Sequence, residues 1–164
     1  MRLLALDTST ETVSVALHCD GSTHLRSETA GSAASERVLP LIAALLAESG
    51  AAGSSVDAIA FGEGPGSFTG LRIACGIAQG LGEAWGVRLI AVSSLLAAAE
   101  SVRMVHGAVR VMVALDARMR EVYFAAFEHT GDRWRCLQSA QAIRPEQVVV
   151  PPGGRLFACG DGFA

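Results

Sequence analysis

The chain has 164 residues, 51% of them apolar, with 13 Lys/Arg against 16 Asp/Glu and a formal net charge of −3. That length suits one domain or two small ones. The apolar share lies above the roughly 45–50% usual for soluble domains, which leaves apolar surface over for a partner. No Lys/Arg-rich run is present, so the chain lacks the electrostatic footprint of a protein that holds nucleic acid alone. Cys19, Cys75, Cys136 and Cys159 are far apart and form no CxxC pair, and they read as small apolar residues of a reducing compartment. The opening MRLLALDTST is too short and polar for a signal peptide, and the apolar runs are too short and glycine-broken to span a bilayer. A cytoplasmic location is expected.

Leu3–Asp7 is an apolar strand that ends in the turn signal Asp-Thr-Ser-Thr. Thr12–Cys19 alternates, with Val13, Val15 and Leu17 against Ser14, Ala16 and His18, as a half-buried strand does. Asp20-Gly21 makes a hairpin turn into a returning strand, Ser22–Thr29. Ser32–Ser49 has helical spacing. Val38, Leu41, Ile42, Leu45 and Ser49 share one face, and Leu39, Ala43, Leu46 and Ala47 share a second beside it. A surface helix needs one apolar stripe; two predict burial on both sides or docking onto a partner.

Val56–Phe61 is the next strand, and the loop GEGPGSFTGLR leads into a helix that runs to about Trp85 and ends at Gly86. Val87–Val92 is a strand, and Ser93 caps a helix over Ser94–Ser101. After His106-Gly107 the pattern changes to strands at Val109–Leu115, Glu121–Glu128 and Trp134–Leu137. A short helix at Pro145–Val150 and a strand at Arg155–Cys159 follow. The order βββαβαβα followed by a second βββ predicts a repeated, two-lobed α/β fold, divided near residues 102–108.

The glycine loop fails the common phosphate motifs. Walker A needs Lys after its last glycine, and GxGxxG needs glycine where Ser67 or Thr69 stands. Gly64, Gly66 and Gly70 still allow positive φ and close backbone approach. Ser67 or Thr69 is placed to cap the helix. Arg72 lies in the first turn, where the helix dipole disfavours a cation, and it makes sense there facing an acidic neighbour or a bound anion. Gly76-x-x-x-Gly80, with Ala74 and Ala78, gives the helix a surface of very small residues beside the apolar stripe Ile73, Ile77 and Leu81. Interior glycine costs about 1 kcal/mol against alanine, so a close neighbour, sheet or helix, is expected there.

Asp7, Thr8, Ser9 and Thr10, with Gly66 and Ser67, form the candidate vestigial nucleotide or anion site. An acid at a strand end followed by hydroxyls can serve a magnesium nucleotide, but local sequence alone favours an Asx/ST turn bonded to its own backbone. The segment DARMREVY, with Asp116, Arg118, Arg120 and Glu121, reads as a charged turn entering a strand. His18, His24, His106 and His129 are scattered, and no pair has metal-ligand spacing.

Taken in order, LALDTSTETVSVAL, SERVLPLIAALL, GPGSFTGLRIACGIAQGL, AVSSLLAAA and ALDARMREVY resemble the TsaB (YeaZ) family. The resemblance implies an actin-like/sugar-kinase-like (ASKHA, ribonuclease H-like) α/β fold, with one lobe over residues 1–104 and a partial second over residues 105–164. Relatives continue past Gly160-Asp161-Gly162, so the tail that completes the second lobe is expected to be missing. Many relatives also have His where this chain has Ala34.

The implied role is that of a non-catalytic subunit in forming threonylcarbamoyladenosine in tRNAs that read codons starting with A. The implied partners are the catalytic paralogue TsaD, the ATPase TsaE, and a second copy through the first two helices, with tRNA met only in the complex. In the paralogue, two histidines after the fifth strand bind the catalytic metal; their positions fall here on Ser94 and Ala98. No metal or cofactor is therefore expected, with a nucleotide at the subunit junction kept as an open alternative. Val38, Leu39, Ile42, Leu46, Arg72, Ile73, Gly76, Ile77 and Gly80 are the interface residues this reading selects. The alternatives are an active ASKHA ATPase or kinase and a Gcp-like metallopeptidase.

Overall fold

The computed structural model describes residues 1–163. They fall into two compact units that divide between Val92 and Ser93. The first contains β1 (Leu3–Asp7), β2 (Thr12–Cys19), β3 (Ser22–Thr29), α1 (Ala34–Glu48), β4 (Ala58–Gly64), α2 (Phe68–Trp85) and β5 (Arg88–Ser93). Its sheet has the order β3-β2-β1-β4-β5. β1 and β2 pair antiparallel, as do β2 and β3, whereas β1 and β4 run parallel.

The alternation of β2 fixes which face of this sheet is covered. Val13, Val15 and Leu17 point inward with Leu4 and Leu6 of β1, and meet Val38, Leu41, Ile42 and Leu45 of α1 and Ala74 and Ala78 of α2. Each large apolar side chain removed from water there contributes about 1.5–3 kcal/mol. α1 lies on β2 and β3, α2 on β4 and β1, and the two helices touch. Ion pairs between Arg37 and Glu28 and between Arg26 and Glu48 tie α1 to β3. A 3₁₀ turn at Gly31–Ala33 precedes α1, so the helix proper begins at Ala34, which is buried.

The second unit contains α3 (Ser94–His106), β6 (Arg110–Asp116), β7 (Val122–Thr130), β8 (Arg133–Ile143) and β9 (Phe157–Cys159). Its sheet order is β8-β7-β6-β9, with β6 antiparallel to β7, β7 antiparallel to β8, and β6 parallel to β9. This repeats the arrangement of β3-β2-β1-β4. A single 3₁₀ turn, Pro145–Gln147, stands where the first unit has α1, in place of the expected helix at Pro145–Val150.

α3 runs to His106, past the expected end at Ser101, and closes at Gly107 in the left-handed region. Its Leu95 and Ala99 are buried with Val111, Val113 and Ala125. This helix therefore belongs to the second core, and the division falls at Val92/Ser93 rather than after residue 104. Glu100 binds it to the hairpin β7–β8: Arg103 donates to both carboxylate oxygens at 2.6 and 2.7 Å, and the Trp134 indole N–H donates at 2.9 Å. No helix among the described residues is long and apolar enough to cross a membrane.

Candidate functional site

The Asp7–Thr10 turn and the glycine loop meet, and each fills the other. Asp7 Oδ1 accepts from the backbone N–H of Ser9 at 2.8 Å and from its hydroxyl at 2.7 Å. This is the Asx turn that competes with a magnesium role for Asp7. The hydroxyl of Thr10 accepts from Thr12 N–H at 3.1 Å, another local bond. Thr8 is 1% exposed, and its hydroxyl donates across 62 positions of sequence to the Gly70 carbonyl at 2.6 Å. Ser67 N–H donates to the Ser9 carbonyl at 2.7 Å.

The glycines of the loop answer to this packing. A Cβ on Gly62 would lie 2.0 Å from Asp7 Oδ2, one on Gly66 2.7 Å from Ser9 Cβ and carbonyl oxygen, and one on Gly70 1.8 Å from the Thr8 carbonyl oxygen. Of Gly64, Gly66 and Gly70, only Gly64 has positive φ, at 100°. Close approach by the neighbouring turn, not backbone handedness, is what requires glycine at 66 and 70. The Gly64–Pro65 peptide is cis.

Ser67 caps α2, its hydroxyl accepting from Gly70 N–H at 3.3 Å. Thr69 sits inside the first turn and is exposed, so Ser67 alone is the cap. Arg72 does not face an acid. Its guanidinium lies 3.5 Å from the ring centroid of Phe68, one turn earlier, and no carboxylate among the described residues forms an ion pair with it. Stacking on an aromatic face satisfies a cation without an anion. Phe68 is 69% exposed and was not singled out from the sequence. An aromatic at a helix start reads as core there, and only the folded chain places it outside.

The expected interface residues divide between two faces. Val38 and Ile42 are buried in the core, because they share the stripe of Leu41 and Leu45 that meets the sheet; they are corrected from interface to core. Leu46, Ile73 and Ile77 are partly buried and pack against that core. Leu39 is 49% exposed, and Ala43 and Ala47 of α1 are exposed with it.

The small residues of α2 also divide. Gly70, Ala74, Ala78 and Gly82 are buried, whereas Gly76 and Gly80 are exposed and a Cβ on either would meet nothing within 4 Å. Their absent side chains are not required by this chain's own sheet or helices. The outer surface of the α1–α2 pair thus presents Leu39, Phe68, Arg72, Gly76 and Gly80.

In the second unit Ser94 opens α3, and its hydroxyl is shielded from solvent with no hydrogen-bond partner among the described residues. The Ala98 carbonyl lies 4.0 Å from the Cys159 sulfur, a thiol whose pKa burial pushes up, away from the reactive thiolate form. Among the described residues no three of His, Cys, Asp and Glu gather as metal ligands would. The DARMREVY segment is a tight turn. Asp116 Oδ1 accepts from Arg118 N–H at 2.8 Å, and Arg118, Met119 and Arg120 all have positive φ.

Two sheets built on the same strand order, helices on one face of the first, and an acidic turn at the end of its first strand define the actin-like/sugar-kinase-like class of α/β proteins. The ROK hexokinase of Thermus thermophilus shares the fold, with a TM-score of 0.51 at 16% identity over 82% of this chain and 47% of that one. The family model described as TsaD, tRNA N6-adenosine threonylcarbamoyltransferase, matches residues 27–159. The tRNA threonylcarbamoyladenosine biosynthesis protein TsaB of Haemophilus influenzae is 43% identical over 174 aligned positions, covering 100% of this chain and 73% of that protein. The protein of the same description in Escherichia coli is 41% identical, covering 90% and 64%. YeaZ from Pseudomonas aeruginosa superposes with a TM-score of 0.94 at 44% identity, over 99% of this chain and 76% of that one.

The chain belongs to the TsaB (YeaZ) family. It spans about two thirds to three quarters of the length of these relatives.

Proposed function

We propose that this chain takes part in forming threonylcarbamoyladenosine in tRNA as a docking subunit that does no chemistry itself. The observation that carries the reading is the closed packing of the Asp7–Thr10 turn into the glycine loop. Asp7 Oδ1 is occupied by Ser9, Asp7 Oδ2 lies over Gly62, and the hydroxyl of Thr8 is spent on Gly70. A nucleotide phosphate would have to displace these bonds.

The names of the TsaB relatives support the pathway. Ser94 and Ala98, at the positions where the resemblance expects the paralogue's metal-binding histidines, offer no imidazole. The surface offered to partners is the outer side of α1 and α2. Leu39 contributes exposed apolar area, Gly76 and Gly80 let another backbone come close, and the Phe68–Arg72 stack supplies the aromatic and Arg pair that often anchors interfaces. The partner is a catalytic subunit of the TsaD family, with a TsaE-type ATPase completing the machinery. The same face self-associates when that partner is absent.

The test is reconstitution. The chain, its TsaD and its TsaE are mixed with tRNA and ATP, threonine and bicarbonate, together with the enzyme that makes the threonylcarbamoyl adenylate, and modified adenosine is measured. Modification should require the chain; full modification without it ends the reading.

A further inference from the structure

We propose, resting on the docking role above, that Thr8 is a positioning residue: its buried hydroxyl sets the rotation of α2 and so presents the docking face. The residues that α2 buries against the sheet are Gly70, Ala74, Ala78 and Gly82. These are the smallest side chains available, and the larger Ile73, Ile77, Leu81 and Trp85 pack against the core beside them only partly buried. Interlocking side chains set a helix's angle, and the fully buried line of α2 contributes little to that.

Polar bonds at the start of the helix add a directional key. Thr8 Oγ1 donates to the Gly70 carbonyl at 2.6 Å, and the Ser9 carbonyl accepts from Ser67 N–H at 2.7 Å. Ser67 also caps Gly70 N–H, and its carbonyl accepts from Leu71 N–H at 2.8 Å. The two anchors, Ser67 and Gly70, lie one turn apart on the helix, so together they fix both its position and its angle about its own axis.

The contacts of Gly66 and Gly70 with Ser9 and Thr8 hold the spacing from the other side. Because residues 3 or 4 apart stack along one face, fixing Gly70 fixes where Phe68, Arg72, Gly76 and Gly80 point. A turn whose residue types suit a nucleotide site thus serves as the latch of a docking helix.

The experiment measures affinity for the TsaD-family partner by titration with Thr8→Val, Thr8→Ser and Val15→Ala. Thr8→Val keeps the shape and removes the donor, and it should weaken binding about tenfold. Thr8→Ser restores the hydroxyl and should bind within about twofold of the parent. Val15→Ala loosens the same core away from the latch, and its folded fraction should bind as the parent does. A purely structural Thr8 would instead make Thr8→Val and Val15→Ala alike. Unchanged binding by Thr8→Val, or equal weakening by Val15→Ala, overturns the proposal.

Should Thr8→Val not fold, Ser67→Pro tests the second anchor: proline suits the φ of −54° there and removes the N–H that bonds the Ser9 carbonyl. About threefold weaker binding supports the latch, and unchanged binding overturns it. Gly76→Leu separates the two levels. If it too binds normally, the docking role itself has failed. If it abolishes binding while Thr8→Val binds as the parent does, only the latch has failed.

Discussion

Adding one methyl group at Gly70 should destabilise the protein, and adding the same group at Gly76 should not. A Cβ on Gly70 would lie 1.8 Å from the Thr8 carbonyl oxygen, against the 3.0 Å that real contacts respect, so 3.0 − 1.8 = 1.2 Å of separation must open. Opening it strains the packing, at about 1–3 kcal/mol. It also breaks the buried bond from Thr8 to the Gly70 carbonyl, at about 1–3 kcal/mol. The helix recovers about 1 kcal/mol from replacing glycine by alanine. The net loss is about 3 kcal/mol, which for a chain of this size lowers the melting temperature by roughly 6–12 °C.

Gly76 has nothing within 4 Å of the added atom, so Gly76→Ala keeps only the helical gain of about 0.5–1 kcal/mol. Gly62→Ala falls between them, since the atom it meets is the end of the Asp7 side chain rather than backbone. Urea unfolding of the three variants at one pH reads the order. A Gly70→Ala protein as stable as the parent would refute the packing of turn against loop.

Gly76→Leu or Gly80→Leu should abolish association in sedimentation without lowering the stability of the isolated chain, because both positions are open and leucine is the better helix former. Leu45→Ala, at a fully buried site in the first core, should cost about 2–5 kcal/mol in urea unfolding. Arg103 first, and then the Trp134 indole, hold the Glu100 carboxyl down to about 2 from its ordinary 4.5. A depressed acid stabilises the fold above its unfolded value, so this contribution is whole above about pH 4.5 and fades as pH falls toward 2. The fluorescence of Trp134 should report that loss, and Glu100→Gln should remove its pH dependence. The pair is partly exposed, so added salt should weaken the effect.

The first sheet was legible because its physics is local. Alternation in β2 placed Val13, Val15 and Leu17 inside, and Asp20-Gly21 announced the hairpin. The two apolar faces of α1 were legible as well, but not which of them met the sheet. That choice is made by β1 and β2, which accept Val38 and Ile42 and leave Leu39 outside. The stripe of Ala74, Gly76, Ala78 and Gly80 looked single in sequence. At 3.6 residues per turn it splits, with the alanines going inward and the glycines outward.

The sequence marks only Trp134–Leu137 of β8, and the strand spans eleven residues. It is an edge strand with most residues exposed, so it has little alternation to display. The bond from Thr8 to Gly70 could not be read at all, since nothing local in either residue encodes a contact 62 positions away. The glycines at 62, 66 and 70 were its one trace, and they fit several explanations until the neighbouring turn is seen.

The most direct test of the docking role compares Asp7→Asn with Gly76→Leu in the reconstituted tRNA modification reaction. Asp7→Asn keeps an oxygen for Ser9 but removes the charge that a magnesium nucleotide would need. The account predicts modification at the parent rate with Asp7→Asn and none with Gly76→Leu. Loss of modification with Asp7→Asn, in a protein that still binds the proposed TsaD-family partner, would contradict it.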